Sequence, residues 1–470
     1  MKYDYDVMVI GMGPAGMAVA AMASEMGLKV CAVEKHKLGG ECMNVGCIPS
    51  KALLAMAKTR NVFSTLKNME LDAVDSPAVR KPFNKIRKDL KFINDKKTVK
   101  MFEKVDLLLN EGEASFIDDH ALLVGEKTLS AKKIFICTGS KPAVPPIDGI
   151  KDIKILTNEN VFSLKEIPDS MIILGGGAIG CELAQAFTRL GSKVSIVHMD
   201  PMLIPAGGGD RECSDLLEKV FQQEGIAVYN ARQIEKVGEE NNLVTMHTDR
   251  GETLRGRRLL VAAGRRIDVS GLRPENAGVE FTRQGITVNK YLQTSRENIY
   301  AAGDCNGYAL FSHAAMHQGM IALINSLVPR PFKRDFRKYV IPWTVFTEPQ
   351  ISHVGKLEPQ LIKQGIGYEV VYARYEDYGA AIAENIDTGF VKAFISRTGR
   401  ILGVRIAGEG SGEMINEWGL AIQKGIRITD IMFLQHSFPT MAFLNKRIAE
   451  TWAMNRMESP LLKRLIGLMK

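Results

Sequence analysis

Apolar runs that stop at glycine recur along this chain of 470 residues. Residues 5–35, YDVMVIGMGPAGMAVAAMASEMGLKVCAVEK, read as a strand, a glycine turn, a helix and a second strand. A short apolar run bounded by glycine suits a strand, and a longer one rich in Ala and Met suits a helix. The same succession returns at 171–198, MIILGGGAIGCELAQAFTRLGSKVSIVH. Three further apolar runs break into glycine-bearing loops: IFICTGS at 134–140 with Thr138 and Gly139, LLVAAGRR at 259–266 with Gly264, and IYAAGDCNG at 299–307 with Gly303 and Asp304. PSKALLAMAK predicts a helix with Pro49 near its first turn. The βαβ unit is the chain's one internal echo, with no low-complexity tract or short-period repeat beside it.

Composition narrows the class. A hydrophobic share of 46% over this length supplies cores for about three domains. No apolar run reaches membrane-spanning length, and the N-terminus enters a strand directly, without the basic and apolar regions of a signal peptide. The expectation is a soluble, cytoplasmic protein. Seven scattered cysteines do not form a secreted disulfide framework, so a disulfide here is expected to be catalytic. The net charge of +8 is spread among acidic residues rather than gathered into a stripe, which argues against nucleic-acid binding.

Each βαβ unit carries G-x-G-x-x-G: Gly11, Gly13 and Gly16 in the first, Gly175, Gly177 and Gly180 in the second. The first glycine permits the turn, the second lets a pyrophosphate approach the backbone, and the third allows close helix packing. The helix N-terminus then faces the phosphates. Glu34 ends the second strand of the first unit, where a carboxylate accepts hydrogen bonds from an adenosine ribose. Two dinucleotides are implied. In the second unit His198 stands at that acidic position, which removes the usual ribose acceptor of an NAD site and tilts the choice slightly towards NADPH.

The chemistry lies in LGGECMNVGCIPSKALL, 38–54, where Cys42 and Cys47 flank a glycine-bearing turn at a helix start. Their spacing is too wide for a thioredoxin pair, and no second Cys or His cluster follows at zinc-finger spacing, so no metal site is expected. A helix N-terminus stabilises thiolate over thiol, making redox-active cysteines the functional reading and two buried reduced thiols the bland one.

With these residues the sequence resembles, end to end, the class I pyridine nucleotide-disulfide oxidoreductases, the group containing dihydrolipoamide dehydrogenase, glutathione reductase and mercuric reductase. GGECMNVGCIPSK, with Gly40, looks like the family's redox-active disulfide motif. The resemblance implies that Cys47 lies against a flavin and that Cys42 is the outer thiol exchanging with substrate. It implies an ion pair of Lys51 with Glu182 near the reactive flavin nitrogen, Asp304 on the FAD ribityl chain and Glu34 on its adenosine ribose. It also implies an α/β fold: two Rossmann-like dinucleotide-binding domains plus a C-terminal α+β dimerisation domain. The expected boundaries are 1–150 and 271–338 for the two parts of the FAD-binding and central region, 151–270 for the NAD(P)-binding domain, and 339–470 for the interface domain. PWTVFTEPQISHVG at 342–355 and GRILGVRIAGEGSGEMINEWGLAI at 399–422 look like that interface domain, implying a homodimer whose partner completes each site.

The pattern breaks at QHSFPTMAF, 435–443. Where the family's disulfide reductases carry His-x-His-Pro-Thr and a Glu three residues on, Phe438 replaces the second His and Phe443 the Glu. That His, oriented by the Glu, moves the proton of the outer thiol, and Phe can do neither. Two aromatic rings would instead keep water from Cys42 and the flavin. The same His-to-Phe change occurs in the family's 2-ketopropyl-coenzyme M reductase/carboxylase, which keeps a His where Phe443 stands. Mercuric reductase dispenses with the pair but uses a C-terminal cysteine pair; the last cysteine here is Cys305.

The leading expectation is an FAD enzyme passing electrons from NAD(P)H through the disulfide to a non-lipoyl acceptor. The alternatives are a dihydrolipoamide dehydrogenase using His436, a metal-ion or small-electrophile reductase, an enzyme like 2-ketopropyl-coenzyme M reductase/carboxylase, and a nucleotide-binding flavoprotein subunit without a substrate. The tail MESPLLKRLIGLMK, 457–470, reads as a short amphipathic helix, for dimer packing or for membrane-surface or partner docking.

Overall fold

The computed structural model describes residues 2–94, 98–205 and 209–457; the proposed tail helix falls almost wholly outside them. The first apolar run forms strand Tyr5–Ile10, the glycine turn leads into helix Pro14–Glu25, and strand Val30–Glu34 follows. Val7, Val9, Ala32 and Val33 are buried, as strands covered by helices on both faces require. Strand Tyr5–Ile10 lies between Val30–Glu34 and Lys127–Ile136, both parallel to it, with Val9 opposite Ala32 on one side and Phe135 on the other. Asp106–Leu109 extends the sheet beyond Val30–Glu34, and Ile299–Ala301 joins it beside Lys127–Ile136.

That late strand brings helix Ser312–Leu327 back onto helix Pro14–Glu25. The two backbones meet at Gly319, where a Cβ would stand 2.4 Å from the Ala15 carbonyl oxygen.

The second unit builds a parallel sheet in the order Ala227–Tyr229, Lys193–Val197, Ser170–Leu174, Arg258–Val261 and Ile155–Leu156. Its chain enters and leaves through a paired crossing, Lys141–Pro142 antiparallel to Arg265–Arg266. The crossing holds the two dinucleotide sheets at a fixed junction and carries Arg265 into the space between them.

The C-terminal part is a five-stranded antiparallel sheet, Trp343–Val345, Ile351–Gly355, Ile401–Ala407, Phe390–Ile395 and Glu369–Arg374, in that order. Helices Ser411–Lys424 and Phe443–Met457 pack on it around the buried Trp418. The fold is thus α/β with two Rossmann-type units and an α+β C-terminal domain. Among the described residues, no helix is long and apolar enough to cross a membrane.

Candidate active site

Cys42 sits on the short helix Gly40–Asn44, and Cys47 is the first residue of helix Cys47–Thr65, which has Pro49 in its first turn as expected. Gly46 joins them: a Cβ there would lie 2.9 Å from the Glu41 carbonyl oxygen, so the turn folds back on itself. Asn44 Nδ2 donates to the Leu38 and Gly40 carbonyls at 2.8 Å and fixes the loop.

The two thiols polarise each other. A hydrogen bond from Cys42 lowers the Cys47 pKa to about 6, against the opposing effect of burial and with help from Ser312 and the Lys51 charge. The same hydrogen bond, then burial, pushes the Cys42 thiol well above its ordinary value. Ser312 Oγ lies 3.3 Å from Cys47 Sγ. One sulfur is therefore poised as the thiolate and its neighbour as the protonated thiol.

Behind Cys47, one turn along its helix, Lys51 Nζ meets Glu182 Oε2 at 2.6 Å. Glu182, 4% exposed, projects from helix Ala178–Arg189, the helix of the second glycine motif. Its other oxygen accepts the Phe346 N–H at 3.0 Å, and Lys51 Nζ lies 4.5 Å from the Phe346 ring centroid. The first unit supplies the cation, the second the carboxylate, and the C-terminal sheet the backbone donor. A buried charge held by two partners keeps one geometry.

Both glycine turns have the shape of a phosphate cradle. Added Cβ atoms at Gly16 and Gly180 would lie 1.9 Å from the carbonyl oxygens of Gly11 and Gly175, whereas Gly13 and Gly177 meet nothing within 4 Å. The helices thus press on the turns from below, while the outer glycine leaves the approach open at each helix N-terminus. Gly11 and Gly175 hold φ of 92° and 120°, which favours glycine.

Glu34 is buried and accepts the N–H groups of Met12 and His36, each at 2.8 Å, which points the carboxylate across the first cradle. Gly40 closes the far side, its Cβ position 2.8 Å from the Gly13 Cα. Asp304, just after Gly303, accepts from Ser140 Oγ at 2.6 Å and lies 3.5 Å from Arg265 Nε. Arg265 also donates to Glu41 and to the Ser140 carbonyl. Burial raises the Glu41 pKa, and Arg265 opposes that rise. Thr138, Gly139 and Gly264 lie beside this chain of contacts, with nothing within 4 Å of a Cβ at either glycine. An open cradle, a buried carboxylate beside it and a second carboxylate 270 residues later, just past strand Ile299–Ala301 of the same sheet, fit the two ends of an FAD.

His198 ends strand Lys193–Val197 and is buried against Gly176; burial lowers its pKa, and its Nε2 lies 3.4 Å from Asp200 Oδ2. It faces the second cradle as a neutral imidazole.

Phe438 and His436 are not brought to the cysteines of their own chain. Phe438 is 72% exposed, its ring 5.4 Å edge-on to Phe443. Phe443 stacks on Tyr378 at 6.0 Å, filling the position of the orienting carboxylate with aromatic packing. His436 is committed elsewhere. Its Nε2 lies 3.0 Å from Glu417 Oε1 and its Nδ1 3.4 Å from the Leu434 carbonyl, with a side chain 6% exposed. Glu417 Oε2 in turn accepts from Asn445, which accepts from Trp418 Nε1 at 2.7 Å. Among the described residues, no group of three or more His, Cys, Asp or Glu side chains is arranged to hold a metal.

Comparison with known proteins carries the next step. The sequence profile described as pyridine nucleotide-disulphide oxidoreductase matches residues 5–319, and that of the family's dimerisation domain matches 341–447. The chain belongs to this family. It is 34% identical over 459 residues to a dihydrolipoyl dehydrogenase of Chlorobaculum tepidum, covering 93% of this chain and 95% of that one. It is 32% identical over 460 residues to a mercuric reductase of Streptomyces lividans, covering 95% and 96%. A solved Cu(II) complex of the HOCl-induced flavoprotein disulfide reductase RclA from Escherichia coli superposes with a TM-score of 0.85 at 28% identity, covering 96% and 99%. The family's chemistry makes this chain an FAD-dependent NAD(P)H oxidoreductase working through a disulfide, with a dimerisation domain at its C-terminus.

Sequence reasoning missed Ser312, Phe346, Glu41, Ser140 and Arg265. Arg265, Ser140 and Glu41 had a local signal, each standing directly after a glycine, in LLVAAGRR, IFICTGS and LGGECMNVGC. The others owe their roles to contacts across distant parts of the chain.

Proposed function

We propose that the enzyme is a cytoplasmic homodimer that reduces an acceptor other than lipoamide or glutathione disulfide, at a site closed by the partner subunit's aromatic C-terminal segment. The observation that carries this is Phe438 with Phe443 where a proton-transferring pair would stand, together with a His436 whose ring nitrogens both have partners. FAD, which Glu34, Asp304 and the first glycine turn would hold, would supply two-electron transfer between the nicotinamide and the disulfide. The chain's residues do the rest. Cys47 carries the negative charge of the reduced pair, Ser312 and Lys51 stabilise it, and Cys42 holds the proton. With no base to remove that proton, exchange with a neutral disulfide is slow. Acceptors that take electrons without drawing a proton through Cys42 suit the site. Steady-state oxidation of NAD(P)H with lipoamide, glutathione disulfide and soft metal ions decides it. Turnover with either disulfide at rates matching the best acceptor would overturn the proposal.

A slight preference for NADPH is supported by the missing strand-end carboxylate, but burial lowers the His198 pKa and Asp200 stands beside it, so this pair offers no strong cation to a 2′-phosphate. The expected kcat/KM ratio favours NADPH by less than about tenfold, or 1.4 kcal/mol. A clear NADH preference would contradict it.

A further inference from the structure

The helix that begins at Ser312 reads FSHAAMHQGM from Phe311 to Met320. Its buried face, Ala314, Ala315, Gln318 and Gly319, packs towards helix Pro14–Glu25. The opposite face carries His313, Met316, His317 and Met320, at i, i+3, i+4 and i+7, one above the other. His313, Met316 and His317 line a cavity of about 300 Å³ whose far wall is made by Tyr339, Val340 and Pro342. We propose that this face is a docking site for copper, His313 and His317 supplying imidazole nitrogens and Met316 a thioether, one residue along the helix from the Ser312 that touches the redox sulfur.

Imidazole suits copper, and thioether selects Cu(I), so a mixed set holds the ion in both oxidation states. Histidines at i and i+4 share a helix face and can close on one ion without bending the backbone. A hydrogen bond from His313 to the Pro342 backbone occupies one ring position, leaving the other for the ion. The Tyr339 ring sits edge-on to His317 at 4.5 Å and limits how that ring turns. Ser312 Oγ, 3.3 Å from Cys47 Sγ, places the first turn of this helix against the electron source.

As an assignment of substrate, this rests on the acceptor reading above. One NAD(P)H and two Cu(II) give NAD(P)⁺, one proton and two Cu(I), the hydride supplying both electrons. Re-forming the disulfide releases the one proton that Cys42 holds to solvent, and neither copper ion takes it up, so no proton has to be delivered to the acceptor.

The test is copper binding to the oxidised, FAD-loaded enzyme. Cu(II) titration followed by electron paramagnetic resonance is expected to show one ion per subunit with nitrogen coupling. Cu(I) retention is read by competition with a chromophoric chelator. His313→Ala with His317→Ala should weaken Cu(II) binding at least about tenfold, the scale on which disturbed metal shells lose affinity. His317→Ala alone serves if the double variant fails to retain FAD. Met316→Leu should weaken Cu(I) more than Cu(II), and His247→Ala, on a distant strand, should change neither. Unchanged binding in the histidine variants, or no stoichiometric ion in the native enzyme, overturns the site. If copper fails to bind while lipoamide remains a poor substrate, only this inference falls. If copper binds but lipoamide is turned over rapidly, the acceptor reading falls and with it the assignment of copper as substrate.

Discussion

A thiol in the first turn of a helix, facing a second thiol and a serine hydroxyl, ionises early. Cys47 has all three partners, and its pKa near 6 means that it is the thiolate above that pH and the thiol below it. The two-electron-reduced enzyme should therefore show a long-wavelength thiolate–flavin absorbance at pH 7.5 that fades on acidification through about pH 6. Cys47→Ser should abolish it, and Ser312→Ala should move its loss to higher pH; a band independent of pH and of Ser312 would contradict the assignment. At this scale Cys42, Cys47 and Lys51 were legible because one short string holds them. Ser312 was not, because its contact spans 265 residues and nothing in FSHAAMHQGM marks the serine out.

Among elements, the glycine turns separate two requirements that one motif hides. At Gly16 a methyl group collides with the Gly11 carbonyl, while at Gly13 it enters open space and φ is an ordinary −73°. Gly13→Ala should fold yet hold FAD less tightly, whereas Gly16→Ala should lose folded protein. Thermal denaturation together with bound-flavin absorbance separates the outcomes, and equal effects would contradict the cradle. Periodicity and glycine spacing were enough to locate these strands and helices. They also put Pro49 in the first turn of helix Cys47–Thr65, though not the fold of Gly46 against Glu41 that sets Cys47 as its first residue.

Arg189 shows the same dependence between elements. Its guanidinium, 7% exposed, donates to Glu224 at 2.7 Å and also pairs with Glu348, tying helix Ala178–Arg189 to the C-terminal domain. Arg189→Ala leaves Glu348 with Lys58 and Glu224 with Gln185 as remaining partners and should cost about 3 kcal/mol, the scale for breaking a buried pair. Urea denaturation of the FAD-loaded enzyme measures it, and a loss below about 1 kcal/mol would show that the pair is not a main tie.

On the scale of the whole molecule, three parts of the chain converge on one ion pair, and the segment that departs from the family faces outwards. Phe438 is exposed in its own subunit, as the proposed role at a partner's site requires. The fold and electron path were legible because they are written in repeated motifs. The acceptor was not, because it is defined by what the C-terminal segment lacks.

The central claim is that this segment no longer moves protons, and lipoamide turnover by engineered subunits tests it most directly. Native enzyme, Phe438→His, and Phe438→His with Phe443→Glu are compared in steady state across pH. A positioned base contributes about 100- to 10,000-fold, and its orienting carboxylate acts with it as a unit. The native enzyme should be slow, the single variant slightly faster, and the double variant faster than either by at least about tenfold, with a pH dependence the native enzyme lacks. Native turnover at tens per second, an ordinary enzyme rate, with no gain in the double variant, would contradict the account.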